Sequence, residues 1–199
     1  MFSKVRLIVR QFGTPILVLI GIIILSVLVF LFKDLVIAAP LQDFDTMIVS
    51  DGFHKIDLSN GQHFYLSYEQ NHYRIFEGIV SHTNMDHESN FPILSFDILV
   101  TSGDFSDSNL VSTSVEDHHF SWQTSSSSAP QGTINLLHTI PMNQAIEERL
   151  MTLKIGDHVV IKGWDVLKID VYTKSGDYVG YWEDSGCNTS LITEIVINP

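Results

Sequence analysis

Nine histidines and 23 carboxylates in a chain of 199 residues supply most of the side chains here that could bind a metal or move a proton. Imidazole and carboxylate together suit zinc ligation or general acid–base work. Two stretches concentrate them. His82, Asp86, His87 and Glu88 fall close together, and Glu116, Asp117, His118 and His119 are consecutive. Neither stretch has a recognised ligand spacing, so both read as polar loop residues, with no metal and no cofactor expected.

Cys187 is the one cysteine, which excludes an intrachain disulfide. As a nucleophile it needs surroundings that favour the thiolate, and its acidic neighbours Glu183 and Asp184 oppose that. His138 lies among Ile134, Leu136 and Ile140 at strand spacing, the position of a core histidine hydrogen-bonded to the backbone of the turn that follows. No G-x-S-x-G, H-E-x-x-H or phosphate-cradling glycine loop occurs, and no catalytic residue is assigned. Aromatic chemistry is the other option. Trp164, Tyr181 and Trp182, with Tyr178, are the candidate binding residues, a platform for sugar or peptide, set against the ordinary use of such rings in core or cross-strand pairs.

These residues sit on a chain that reads as mainly β from Phe53 onward. Tyr73 to Val80 is rich in strand formers. Leu94, Phe96, Ile98 and Val100 alternate with Ser95, Asp97 and Leu99, the pattern of a half-buried strand. Turn chemistry fills Thr101 to Asn109, and Ser125 to Gly132 is a polar loop. One soluble helix is predicted after Pro141. Asn143 suits its N-cap, Ala145, Ile146, Leu150 and Leu153 form its apolar stripe, and Gly156 takes the C′ role that ends it. A long strand then runs from Asp157 to Thr173, with Gly163 as a bulge or barrel corner. A hairpin to Tyr178–Trp182 and a last strand over Leu191–Ile197 complete the pattern. The expected fold is a partly closed antiparallel, OB-like β barrel with one short helix, preceded by a transmembrane helix.

That transmembrane segment is the strongest single signal. Thr14 to Phe32 carries no charge over 19 residues, about 28 Å of helix and close to a bilayer's hydrocarbon thickness. Lys4, Arg6 and Arg10 precede it and only Lys33 follows before Lys55, which orients the N-terminus to the cytoplasm. A cleaved signal peptide, processed near Ala38, is the rival; the apolar core is longer than such peptides use and Pro40 crowds the cut. The expected organisation is a cytoplasmic N-terminus (1–13), the span (14–33), a linker (34–52) and an extracytoplasmic β domain (53–199). All 23 acidic residues but only seven of the 11 basic ones follow Lys33, a balance of −16 that repels phosphate backbones. Nucleic acid is excluded as a partner. The membrane through residues 14–32 and an envelope protein or glycan are expected instead.

Part of the chain resembles a family. Leu137-His-Thr-Ile-Pro-Met-Asn143, the helix, Leu153-Lys-Ile-Gly-Asp-His-Val-Val-Ile-Lys-Gly163 and a Trp before a last strand containing Glu194 resemble a functionally uncharacterised family of bacterial membrane-anchored or exported proteins. Its pattern is H-x-I-P-x-N, a short helix, L-x-x-G-D-x-V-x-I-x-G, then W. The match spans Leu137 to Ile197, with looser agreement at Gly78–Ser81 and Phe96–Asp97. The family's motif positions here are His138, Pro141, Asn143, Gly156, Asp157 and Gly163, all read as structural. The family places a Cys directly before its final Glu; here that residue is Thr193, so no thiol role carries over. The resemblance implies a bacterial-envelope location and no activity. The expectation is a binding or scaffolding module of the inner membrane facing the periplasm or cell exterior, with an envelope hydrolase built from His and carboxylates as the alternative.

Overall fold

The computed structural model describes residues 22–23, 45–50, 53–85, 91–183 and 188–198, the stretch 45–50 by its backbone. Of the proposed span 14–33 only Ile22 and Ile23, both helical, fall among these, so that expectation lies outside the described residues. Among the described residues no helix is long and apolar enough to cross a membrane.

The β unit is built from ten strands: β1 (Asp45–Ser50), β2 (Phe53–Asp57), β3 (His63–Met85), β4 (Phe96–Thr101), β5 (Val111–Glu116), β6 (His119–Thr124), β7 (Ile134–Pro141), β8 (His158–Tyr172), β9 (Tyr178–Glu183) and β10 (Asn188–Ile197). One helix, α1 (Gln144–Leu150), joins β7 to β8, and a short 3-10 turn covers Gly103–Ser106. The architecture is therefore mainly β, as the alternating patterns predict.

Eight strands pair in the order β1-β2-β3-β4-β7-β10-β8-β9, and an extra β3–β8 pairing turns the middle five into a ring. Every pairing in that ring is antiparallel except β7 with β10. Closure works because β3 and β8 are long enough to serve two neighbours each. The N-terminal half of β3 pairs with β2 and the far end of β8; its C-terminal half pairs with β4 and the near end of β8. Between Tyr68 and Tyr73 the β3–β8 register slips, which lets the long strand bend. β1, within the stretch expected as a linker, adds an edge strand against β2.

Strand parity sorts the side chains into two cores. Facing into the ring are Phe76, Val80, Phe96, Ile98, Val100, Leu137, Val159, Ile161, Ile192 and Ile195, joined by Ile146, Leu150 and Leu153 from α1 and the residues after it. On the other face Ile56, Phe64, Leu66, Val166, Ile169 and Val171 pack with Ile93, Leu94, Ile140 and Leu191. The outer wall of β4, β7 and β10 is thus roofed by the extension of β2, β3, β8 and β9. This corrects the reading of β4 as half-buried: all six of its residues are buried, because each face meets a core of its own.

The helix starts as predicted. The Asn143 side chain accepts from the Ile146 amide at 3.0 Å, the N-cap interaction. Its end differs. The last helical residue is Leu150, and Thr152 and Leu153 turn back by amide bonds to Arg149 and Leu150. Gly156, at φ +96°, makes a separate turn whose amide donates to the Val80 carbonyl, so its left-handed conformation docks the loop on β3 and does not cap α1. Gly163 is a close-approach residue: a Cβ there would stand 2.3 Å from the Leu191 carbonyl oxygen, and the extra residue of the local bulge is Thr193 on β10.

Candidate functional site

Register builds the one group of three His, Cys, Asp or Glu side chains with mutually close ligand atoms among the described residues. In the β4–β7 ladder Asp97 stands directly opposite His138, so both project from the same outer face of the ring. His138 Nδ1 lies 2.6 Å from Asp97 Oδ1. The third member comes from the β5–β6 hairpin. Its strands end at the Glu116–His119 pair, leaving a two-residue turn, Asp117–His118, with φ values of 47° and 60°. Mirror-type turns of this kind follow strand twist and normally use Asn-Gly. Here the tip carries an imidazole, and His118 Nδ1 meets Asp97 Oδ2 at 2.7 Å.

The protonation pattern follows from the carboxylate. Burial alone would raise the Asp97 carboxyl, yet the hydrogen bonds from His138 and His118 and their charge hold it below its ordinary value. An ionised carboxylate only accepts, so both Nδ1 atoms are the donors. His138 is 4% exposed and Asp97 9%, whereas His118 is only half-buried. The His118 and His138 rings meet edge to face at 5.3 Å, and Trp182 packs its ring edge to face against His138 at 6.3 Å. His82, opposite Leu99 and so on the same face, is held below its ordinary value by burial, against the opposing charge of Asp97.

Sequence reasoning placed His138 in the core, and it is there. Its partner is different: the Asp97 carboxylate, 41 residues away, and not the backbone of the turn at Pro141. Asp97 itself read as a solvent-side residue of a half-buried strand. The consecutive Glu116–His119 run is divided by its turn, with His118 reaching Asp97 while His119 donates to the Asp117 carbonyl. The proposed partners of His82, residues 86–88, and Cys187 lie outside the described residues.

The aromatic candidates separate. Trp164 and Trp182 border the outer core; Trp164 packs against Tyr68 and Tyr73, and Trp182 against Phe91. Tyr181, one residue from Trp182 on β9, points the other way and is 55% exposed, with the Lys168 ammonium 5.1 Å from its ring centre. On that solvent face Tyr65, Tyr172 and Tyr178 form a row, each ring edge to face with the next at 5.5 and 5.4 Å. A shallow concavity of about 390 Å³ lined by His63, Tyr65, Tyr172 and Gly176 opens beside them. His63 and Lys55 both bond Asp57 at its edge; burial raises that carboxyl, and the two donors bring it below its ordinary value. Of the motif residues, Pro141 ends β7 opposite Ile192, and Asp157 bonds the Lys154 amide through its side chain and the Val80 amide through its carbonyl. Asn143 caps α1, Gly156 turns the loop onto β3 where the sequence had it ending the helix, and Gly163 lets β8 and β10 approach closely.

Comparison with protein-family models, curated proteins and solved structures finds no match.

Proposed function

We propose that this chain is a membrane-tethered binding module of the bacterial envelope. Residues 14–32 anchor it, the N-terminus stays in the cytoplasm and the acidic β domain works outside. The order and direction of the five ring strands, with the parallel pair closing it and the helix before its fourth strand, agree with an OB-like barrel, a fold whose outer sheet face serves as a ligand platform. The observation that carries the reading is the tyrosine face of the β2-β3-β8-β9 extension. Tyr65, Tyr172, Tyr178 and Tyr181 present large, stiff, amphipathic rings at low entropic cost, the composition that marks docking surfaces. The Lys55–Asp57–His63 cluster beside them offers directional hydrogen bonds. The ligand is an envelope protein or glycan, because a domain of net charge −16 repels nucleic acid.

The test is co-sedimentation of the purified full-length chain in detergent with isolated bacterial envelope fractions. Tyr65→Ala with Tyr181→Ala should weaken binding by about tenfold or more, two centrally placed aromatic contacts each being worth on the order of 1 kcal/mol. Unchanged binding with an unchanged unfolding midpoint would overturn the reading.

The hydrolase alternative has one specific observation in its favour: Asp97, His118 and His138 come from three separate segments of the chain and meet. If that reading holds, envelope-polymer cleavage by the wild type disappears in His118→Ala while folding persists.

A further inference from the structure

We infer that Asp97, His118 and His138 form a binding site for one divalent transition-metal ion, with zinc the expected occupant. The inference uses none of the tyrosine face and stands or falls separately from the docking reading.

Geometry carries it first. One donor atom from each of the three residues lies within 4.8 Å of the others. Ligands of a tetrahedral zinc, each ~2.0–2.1 Å from the ion, stand about 3.3 Å apart. The two N···O separations of 2.6 and 2.7 Å therefore need to open by only about 0.6–0.7 Å to admit the ion. A rotation of the half-buried His118 at its hairpin tip opens its own separation, a shift of the Asp97 carboxyl opens the one to the buried His138, and the exposed side of His118 supplies the entry path.

The backbone is the second observation. Asp117 and His118 both hold positive φ, a conformation that favours Gly and Asn. That tight two-residue tip places the His118 nitrogen on Asp97, across from the main sheet. Donor chemistry is the third. Two imidazoles and one carboxylate form a borderline N/O set that prefers zinc and its neighbours to calcium or magnesium, and three protein ligands leave a fourth position for water or a substrate oxygen.

Loading the ion balances simply. Each Nδ1 proton, now donated to Asp97, moves to Nε2 to give the other neutral tautomer, or leaves to solvent from a doubly protonated ring. The two freed nitrogen lone pairs and the Asp97 carboxylate then face the cation.

The experiment uses the full-length chain in detergent, stripped with chelator, titrated calorimetrically with Zn2+ and examined spectroscopically with Co2+. One ion per chain should bind, the unfolding midpoint should rise with Zn2+, and Co2+ should develop the intense visible bands of a tetrahedral N/O site. His118→Asn keeps the turn, because Asn tolerates positive φ, and should weaken Zn2+ binding on the order of a hundredfold and erase the bands. His119→Asn, next to the site but outside it, should change neither. Zn2+ binding that is absent, or equal in wild type and His118→Asn, would overturn the proposal and leave a hydrogen-bonded staple between β4, β7 and the hairpin. Asp97→Asn, read by the same bands, guards against a His118 variant that fails to fold: loss of the bands supports the site and their persistence contradicts it.

Discussion

Asp97 and His138 show how a single cross-strand pair can matter to a fold. Removing the imidazole leaves a nearly buried carboxylate with His118 as its remaining described partner and opens a small cavity. His138→Ala should cost about 2–4 kcal/mol of stability, read from denaturant unfolding, and an unchanged midpoint would refute a structural role. The acid limb has two windows with a common sign. Asp97 has a folded value below its unfolded one, so its stabilisation is complete above the unfolded value of about 3.9 and is lost as pH falls through the folded value. His54 is lowered by burial, and among the described residues neither ring nitrogen has a partner. The unfolded chain therefore takes up the His54 proton first, and stability falls as pH drops below about 6.5 towards the lower folded value. His54→Leu should flatten that higher window while raising stability at neutral pH by about 1 kcal/mol, because two unsatisfied buried atoms disappear. A pH–stability profile from 7.5 to 5 checks both parts, and equal slopes in the two proteins would contradict the assignment.

At the scale of elements, what could be read in advance depended on whether the signal was local. Asn143 before the apolar stripe of α1 is local chemistry, and the cap is where the sequence puts it. With only seven residues in that helix, Asn143→Ala should cost about 1 kcal/mol in thermal unfolding. Alternation along β4 is local too, but it reports only that successive side chains differ in polarity. It does not say that Ser95, Asp97 and Leu99 face a second core, because that core comes from β2, β8 and β9. The Asp97–His138 pairing required the β4–β7 register, which no window of residues contains. Glu-Asp-His-His looked like a solvated run because nothing in it announces a two-residue hairpin; the missing cue is the Asn-Gly normally found at such tips. That gives a prediction for the hairpin. Asp117→Gly should leave stability within about 0.5 kcal/mol, because Asp tolerates a positive φ and the freer unfolded chain offsets what Gly relieves, while leaving His118 on Asp97. A larger loss of stability would mean that the Asp117 side chain has a role beyond the turn.

On the scale of the whole molecule, ring closure explains how a domain without an intrachain disulfide holds together: β3 and β8 each pair along both flanks, so the central strands have no open edge. The proposed tether and its proposed direction rest on Thr14–Phe32 and on the basic residues before it. A reporter active only outside the cytoplasm, fused after Pro199, should be active in cells, and activity confined to cytoplasmic reporters would reverse the orientation. The central claim joins tether and face: an anchored domain that docks through its tyrosines. The most direct measurement is photo-crosslinking in living cells with a photoreactive residue at Tyr181, compared with the same residue at Ser126 in the exposed polar loop. The account predicts a defined envelope adduct from position 181 that fades when Tyr65→Ala is added, and none from position 126. Equal adducts at both positions, or none at Tyr181 from a correctly oriented chain, would contradict it.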